Sequence, residues 1–150
     1  MSAVPLEALR AFLLDMDGTI YLGPDPIPGA PEFVRFLRET RRHHLFFTNN
    51  PSHNAAYYAR KLCGMGIPAT PENILTAGEA AARYLATETP HRRLYVLGTP
   101  SFEEELRRAG LDVVQDRPDA VVLAFDKTLT YAKLERSEER RVGKECRSRW

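Results

Sequence analysis

The chain has 150 residues, with 21 Lys and Arg against 20 Asp and Glu and a formal net charge of +1. This balance gives no basic surface of the kind that binds nucleic acid. No apolar run approaches the roughly 20 residues that a membrane span requires, and the N-terminus lacks the pattern of a signal peptide. We therefore expect a cytoplasmic protein whose partners are neither nucleic acids nor membranes.

Strand and helix patterns alternate along the chain with short connections, which is typical of a parallel sheet covered by helices. Ala11–Leu14 predicts a first strand, buried on both faces. Prolines between Pro24 and Gly29 predict an irregular loop before a helix that begins at Pro31 and ends near Glu39. The buried face of this helix is expected to carry Phe33, Phe36 and Leu37.

The second strand is predicted at Leu45–Thr48 and is followed by a turn at Asn49–Pro51. Ser52 is the expected N-cap of a helix that runs to Met65. The remaining elements are a helical turn at Thr70–Pro71, a helix from Thr76 to Thr87, a strand at Leu94–Leu97, a helix capped at Ser101 and stopped at Gly110, strands at Val113–Val114 and Ala120–Ala124, and a helix of about one turn capped by Thr130.

The last fifteen residues, Arg136–Trp150, resemble the conceptual translation of a widely used short-read sequencing adaptor. We interpret them as read-through of library DNA, the alternative being a natural basic tail. Without them, residues 1–135 carry 15 basic against 17 acidic residues and a net charge of −2. Cys63 is then the single cysteine, so an internal disulfide is excluded. We expect Cys63 to be a buried thiol in a reducing cytosol.

Two carboxylates, Asp15 and Asp17, follow the first apolar run in the string Asp15-Met16-Asp17-Gly18-Thr19. Because side chains alternate along a strand, both leave on the same side, with Cα atoms about 6 to 7 Å apart. One can attack phosphorus while the other protonates the leaving oxygen. Gly18 permits a turn whose backbone N–H groups can point at an anion. The string predicts phosphoryl transfer, and the alternative is a solvated acidic turn.

With this string on the first strand and Phe47-Thr48-Asn49-Asn50 closing the second, the chain resembles the haloacid dehalogenase superfamily. The narrower resemblance is to class IIA, the NagD and 4-nitrophenylphosphatase-like phosphatases, supported by Leu62–Pro68 and Phe125–Tyr131. It implies an α/β fold in which residues 1–91 form the N-terminal part of a Rossmann-like core. Residues 92–135 would begin an inserted α/β cap, and the fold would be incomplete.

The resemblance also implies the roles of the site residues. Asp15 would be the nucleophile and a Mg²⁺ ligand, and Asp17 would be the general acid and base, with its backbone carbonyl on the metal. Thr48 and Asn49 would bind the transferring phosphoryl group. Mg²⁺ also follows from the chemistry, because an anionic nucleophile must approach a phosphate dianion and a hard cation screens that repulsion.

The implied activity is hydrolysis of a small phosphorylated metabolite, such as a sugar phosphate, a nucleotide or 4-nitrophenyl phosphate. Whether the full-length parent forms a homo-oligomer is left open. Members of the family also carry a Lys and a further acidic metal motif beyond the cap. Lys127, Lys133 and Lys144 are poor substitutes for that Lys, so we expect the polypeptide as written to be inactive. The alternatives are a receiver-like phosphoacceptor domain and a non-functional fragment.

Overall fold

The computed structural model describes residues 8–141, and the part of the predicted tail from Val142 onward, with Cys146 and Trp150, lies outside the described residues. The chain divides into two compact units. The first comprises the residues up to Asn49 together with Ala55–Thr76, and the second comprises Asn50–Asn54 together with the residues from Ala77 onward. The seam predicted near residue 91 stays a prediction.

Strands and helices alternate along most of both units. The first contains β1 (Ala11–Asp15), β2 (Tyr21–Leu22), β3 (Asp25–Pro26), α1 (Ala30–Glu39), β4 (His43–Thr48), α2 (Ala55–Gly64), a 3₁₀ turn at Pro71–Asn73 and β5 (Ile74–Thr76). The second contains α3 (Ala77–Glu88), β6 (Arg93–Leu97), α4 (Pro100–Arg108), β7 (Asp112–Val113), β8 (Ala120–Leu123) and α5 (Tyr131–Arg141). The predicted α/β class is confirmed. Between residues 8 and 141, no helix is both long and apolar enough to cross a membrane.

The sheet of the first unit has the strand order β1-β4-β5, and all its pairs are parallel. Three short strands of the first unit differ from the sequence prediction. Ile74 and Leu75 of β5 were expected within a connection and Thr76 at the start of a helix, while β3 lies within the predicted proline-rich loop and pairs antiparallel with β2 just before it. Strands this short carry too few alternating residues for a period of two to be recognised.

One face of this sheet is buried and the other is not. Leu14, Phe46 and Ile74 are 9%, 0% and 3% exposed and pack in one cluster with residues of α1 and α2. On the opposite face Leu13, Phe47 and Leu75 are 73%, 39% and 37% exposed. We call these three residues the open sheet face. The prediction that the first strand is buried on both faces is therefore wrong.

The helices of the first unit correct three further expectations. In α1 the buried residues are Ala30, Val34 and Leu37, whereas Phe33 and Phe36 are 38% and 44% exposed. Helix α2 begins at Ala55, so Ser52 is not its N-cap. Cys63 is exposed, and its thiol donates a hydrogen bond to the carbonyl oxygen of Ala69 at 3.3 Å.

The sheet of the second unit has the order β7-β6-β8, again with parallel pairs. Strand β6 lies in the middle, and four of its five residues are buried. Helix α4 packs Phe102 and Leu106, which are 1% and 0% exposed, into the same core. A Cβ atom on Gly98 would lie 2.7 Å from the ring of Phe102, so only glycine fits at the turn between β6 and α4.

Helix α5 is longer than the single turn that the sequence predicted. Thr130 does accept a hydrogen bond from the backbone N–H of Lys133, as an N-cap does. The helix then continues to Arg141, because the Glu- and Arg-rich residues after Leu134 are good helix formers without Gly or Pro. Six residues of the predicted adaptor tail are thus helical, and its adaptor origin stays a prediction.

A largely buried ion pair joins α5 to the loop that precedes it. The ammonium of Lys133 donates to the carboxylate of Asp126 at 2.8 Å, to the hydroxyl of Thr128 at 3.1 Å and to the carbonyl of Gly98 at 3.2 Å. The Asp126 side chain is only 2% exposed. Burial opposes ionisation of Asp126, but the hydrogen bonds from Lys133 and Thr128 outweigh it and hold the pKa of Asp126 below its ordinary value.

Replacing Lys133 with Met is expected to lower the free energy of unfolding by about 2 kcal/mol at pH 7, because it leaves a buried carboxylate without its cation. A carboxyl group whose pKa is lowered by folding stabilises the fold at pH values above its pKa in the unfolded chain, which is about 4. This stability is lost as the pH falls through the pKa of the folded state. The cost of Lys133→Met should therefore shrink at pH 3. Urea unfolding at both pH values measures it, with Lys127→Met on the exposed neighbouring lysine as the control. Equal costs for the two variants would contradict the role of the pair.

Candidate active site

The carboxyl ends of two neighbouring parallel strands bring the predicted site residues to one edge of the first unit's sheet. Asp15 is the last residue of β1 and Thr48 is the last residue of β4, and the pairing register aligns Asp15 with Phe47. Asp15 is half-buried, Asp17 and Asn49 are exposed, and Thr48 is 4% exposed. By register, Asp15 lies on the open sheet face and Thr48 on the core face, and both are at the carboxyl edge.

The segment between the two carboxylates is fixed by a buried side chain. Met16 is 0% exposed, and it separates Asp15 from Asp17 as the alternation of a strand requires. The carbonyl oxygen of Met16 accepts hydrogen bonds from the backbone N–H groups of Thr19, Ile20 and Tyr21 at 3.3, 2.9 and 3.1 Å. The chain thus turns tightly around this oxygen directly after the carboxylates.

The backbone N–H groups of Gly18 and Thr19 are used within the turn itself. The N–H of Gly18 donates to the carbonyl of Tyr21 at 2.8 Å, and the N–H of Thr19 donates to Met16. Gly18 has a φ of +79°, which a glycine adopts without strain and which lets the turn close on itself. Its freedom therefore serves the turn.

Tyr21 is a buried residue beside the carboxylates that the sequence did not single out. Its side chain is 0% exposed, and its hydroxyl has no hydrogen-bond partner among the described residues. Burial, followed by the nearby charge of Asp17, raises the pKa of Tyr21 well above its ordinary value. The ammonium of Lys61 lies 3.6 Å from the centre of the Tyr21 ring, within the range of a cation–π contact. On the sequence, Lys61 is indistinguishable from any lysine of a surface helix.

The loop after Thr48 and Asn49 is held by its own polar groups. The side-chain oxygen of Asn50 accepts a hydrogen bond from the backbone N–H of Ser52 at 3.0 Å and another from the Ser52 hydroxyl. Ser52 is 2% exposed. The sequence predicted a turn here, and the structure adds that Ser52 closes the loop rather than starting a helix.

The described residues at this edge offer oxygen ligands to a divalent cation. Asp15 supplies a carboxylate and Asp17 can supply its backbone carbonyl oxygen, and both are hard ligands suited to Mg²⁺. In the described part of the chain, no group of three or more His, Cys, Asp or Glu residues is arranged to hold a metal ion. The donor set fits Mg²⁺ because this ion is commonly held by one or two carboxylates, with water and substrate phosphate completing its shell.

Comparison with known proteins gives the family. The profile of the haloacid dehalogenase-like hydrolases matches residues 12–112, which include both strand ends of the site. The chain belongs to the haloacid dehalogenase-like hydrolase family. In this family it is 36% identical over 130 residues to the acid sugar phosphatase of Staphylococcus aureus, an alignment that covers 86% of this chain and 50% of that protein.

Solved structures of family members show the same fold. The 4-nitrophenylphosphatase of Thermotoga maritima is 39% identical with a TM-score of 0.83, covering 90% of this chain and 52% of that one. The glycerol phosphate phosphatase of Mycobacterium tuberculosis, solved in complex with magnesium, is 35% identical with a TM-score of 0.81, covering 91% and 43%. These likenesses confirm the predicted class IIA branch. This haloacid dehalogenase-like chain spans about half the length of the relatives it matches.

Proposed function

We propose that the protein containing this chain is a Mg²⁺-dependent phosphatase that hydrolyses small phosphomonoesters through an aspartyl-phosphate intermediate. The observation that carries the proposal is the pair Asp15 and Asp17 at the carboxyl end of β1, on either side of the buried Met16. Membership of a hydrolase family, with relatives named as sugar phosphate, nitrophenyl phosphate and glycerol phosphate phosphatases, supports the reaction class.

The two carboxylates take different roles. The Asp15 carboxylate attacks phosphorus and forms an acyl phosphate, while the bond from phosphorus to the ester oxygen breaks and Asp17 gives that oxygen its proton. Asp17 then takes a proton from the water that hydrolyses the acyl phosphate, which releases inorganic phosphate and regenerates Asp15. The half-buried position of Asp15 suits a nucleophile, and the exposure of Asp17 suits proton exchange with solvent.

Thr48 and Asn49 are proposed to bind the transferring phosphoryl group. They end β4, the strand next to β1, so their position at the same edge supports this role. The carboxylate of Asp15 and the backbone carbonyl of Asp17 are the proposed ligands of Mg²⁺. When bound, the cation screens the repulsion between the Asp15 carboxylate and the phosphate dianion. The substrate class is a small phosphorylated metabolite such as a sugar phosphate or a nucleotide.

The test is phosphoenzyme trapping in the protein that contains this chain, with an Asp17→Asn variant and 4-nitrophenyl phosphate in the presence of Mg²⁺. Because 4-nitrophenolate leaves without a proton, attack by Asp15 should continue while hydrolysis of the acyl phosphate, which needs a base, slows. We expect turnover to fall by about 10² to 10⁴-fold. A hydroxylamine-sensitive phosphoenzyme should accumulate, as detected by intact-protein mass after rapid quench.

Asp25→Asn is the matched control, since Asp25 is an exposed carboxylate of the β3 strand. It should leave turnover within twofold of the unsubstituted protein. A phosphoenzyme that forms without any turnover in the unsubstituted protein would favour the receiver-like alternative. The absence of both phosphoenzyme and turnover, in the unsubstituted protein as well as in the variants, would contradict the proposed function.

A further inference from the structure

The buried side-chain hydroxyl of Thr99 makes two hydrogen bonds. The side chain is the N-cap of α4 and accepts a hydrogen bond from the backbone N–H of Phe102 at 3.3 Å. The same hydroxyl donates to the carbonyl oxygen of Ser52 at 3.2 Å. Thr99 and Ser52 are 5% and 2% exposed, so water does not compete for this contact. An N-cap requires only the acceptor, so the donated bond is an additional function of the hydroxyl.

The carbonyl that Thr99 holds belongs to the loop next to the proposed phosphate site. Ser52 lies in the segment Asn50–Asn54, which packs with the second unit although it follows Thr48 and Asn49 directly in the chain. Within this segment Ser52 is also bonded to Asn50 through its N–H and its hydroxyl. Ser52 is therefore held at its carbonyl by Thr99 and at its amide and side chain by Asn50.

The turn that carries Thr99 is itself closely constrained. Gly98 leaves no space for a side chain against Phe102, and its carbonyl accepts a hydrogen bond from the ammonium of Lys133. Pro100 follows Thr99 as the first residue of α4 and restricts the backbone further. The Thr99 hydroxyl thus has a fixed position from which it can hold a neighbouring loop.

We propose that Thr99 is a positioning residue that sets the conformation of the Thr48–Ser52 loop for binding of the phosphoryl group. The proposal rests on the proposed function, since it gives this loop a phosphate to bind. Thr99 touches neither substrate nor metal in this role. It acts through the Ser52 carbonyl, which fixes the peptides that lead back to Asn49.

The test compares Thr99→Val, Thr99→Asp and Thr99→Ser in the protein that contains this chain. Valine removes both hydrogen bonds, aspartate retains the N-cap acceptor but cannot donate to Ser52, and serine retains both. Amide chemical shifts and hydrogen exchange of Asn49, Asn50 and Ser52 are measured by NMR. The dissociation constant for inorganic phosphate with Mg²⁺ is measured by titration on the same samples.

We expect amide exchange of the loop to accelerate at least tenfold in the Val and Asp variants and to stay within twofold in the Ser variant. Phosphate affinity should fall at least fivefold in the first two and recover with serine. Ser101→Asp is the charge control, because it adds the same charge to the first turn of α4 without contacting Ser52, and it should leave exchange unchanged. Unfolding curves identify any variant that loses its fold.

Unchanged loop exchange in Thr99→Asp, with α4 intact, would overturn the proposal. Faster loop exchange without any change in phosphate affinity would overturn it as well. If the unsubstituted protein that contains this chain fails to bind phosphate while loop exchange still depends on Thr99, the proposed function of the loop fails and the contact is only structural. The two measurements therefore separate failure of this inference from failure of the proposed function.

Discussion

Replacing Asp15 with Asn is expected to lower the turnover of 4-nitrophenyl phosphate by at least about 10³-fold and to abolish the phosphoenzyme, because an amide cannot attack phosphorus. Asp15 ends β1 as a half-buried residue, and Asn has nearly the same shape, so the fold should be retained. Steady-state kinetics and intact-protein mass after acid quench measure the two effects on the protein that contains this chain.

The informative comparison is with Asp17→Asn, which should lose turnover but retain the phosphoenzyme. Loss of both signals in Asp15→Asn and only of turnover in Asp17→Asn would separate a nucleophile from a proton donor two residues away. If Asp15→Asn retained turnover within tenfold, the assignment of the nucleophile would be wrong.

The second large effect concerns stability. Phe46 is 0% exposed in the core of the first unit, and Phe46→Ala is expected to lower the free energy of unfolding by about 3 to 5 kcal/mol through lost burial and the cavity left behind. A loss of this size is a large fraction of the total stability of a small domain. Urea unfolding followed by circular dichroism measures it.

Phe47 provides a matched control, because it is the same residue type at the next position of β4. It is 39% exposed on the open sheet face, and Phe47→Ala should cost less than about 1.5 kcal/mol. Similar losses in the two variants would contradict the assignment of the core to a single face of the sheet.

The main elements could be predicted from the sequence wherever an apolar run or a helical pattern is long enough. The prediction of β4 at Leu45–Thr48, of β6 at Leu94–Leu97 and of a helix end near Gly110 is confirmed to within two residues. The wrong prediction for the burial of β1 has a structural cause. Whether a strand is buried on one face or on both depends on which helices cover it, and the run Phe12-Leu13-Leu14 reads the same in either case.

The site could be predicted only as far as its residue types. The string from Asp15 to Thr19 predicted the carboxylate pair and a reaction class for it, but not that the N–H groups of Gly18 and Thr19 are used within the turn. At α4 the predicted N-cap, Ser101, is wrong. Thr99 is the cap that forms, and Pro100 after it suits the first position of a helix. The contact between Thr99 and Ser52 joins residues 47 positions apart and has no local signal.

The open sheet face implies that the solubility and the stability of this chain can be altered independently. Leu13 presents most of its apolar surface to water, so Leu13→Lys should raise the concentration at which the chain precipitates while leaving its unfolding midpoint nearly unchanged. The adjacent Leu14 is 9% exposed on the other face, so Leu14→Lys would bury a charge and lower the unfolding midpoint. A screen that selects for soluble expression would therefore enrich polar residues at position 13, and it would report on this surface rather than on how firmly the chain is folded.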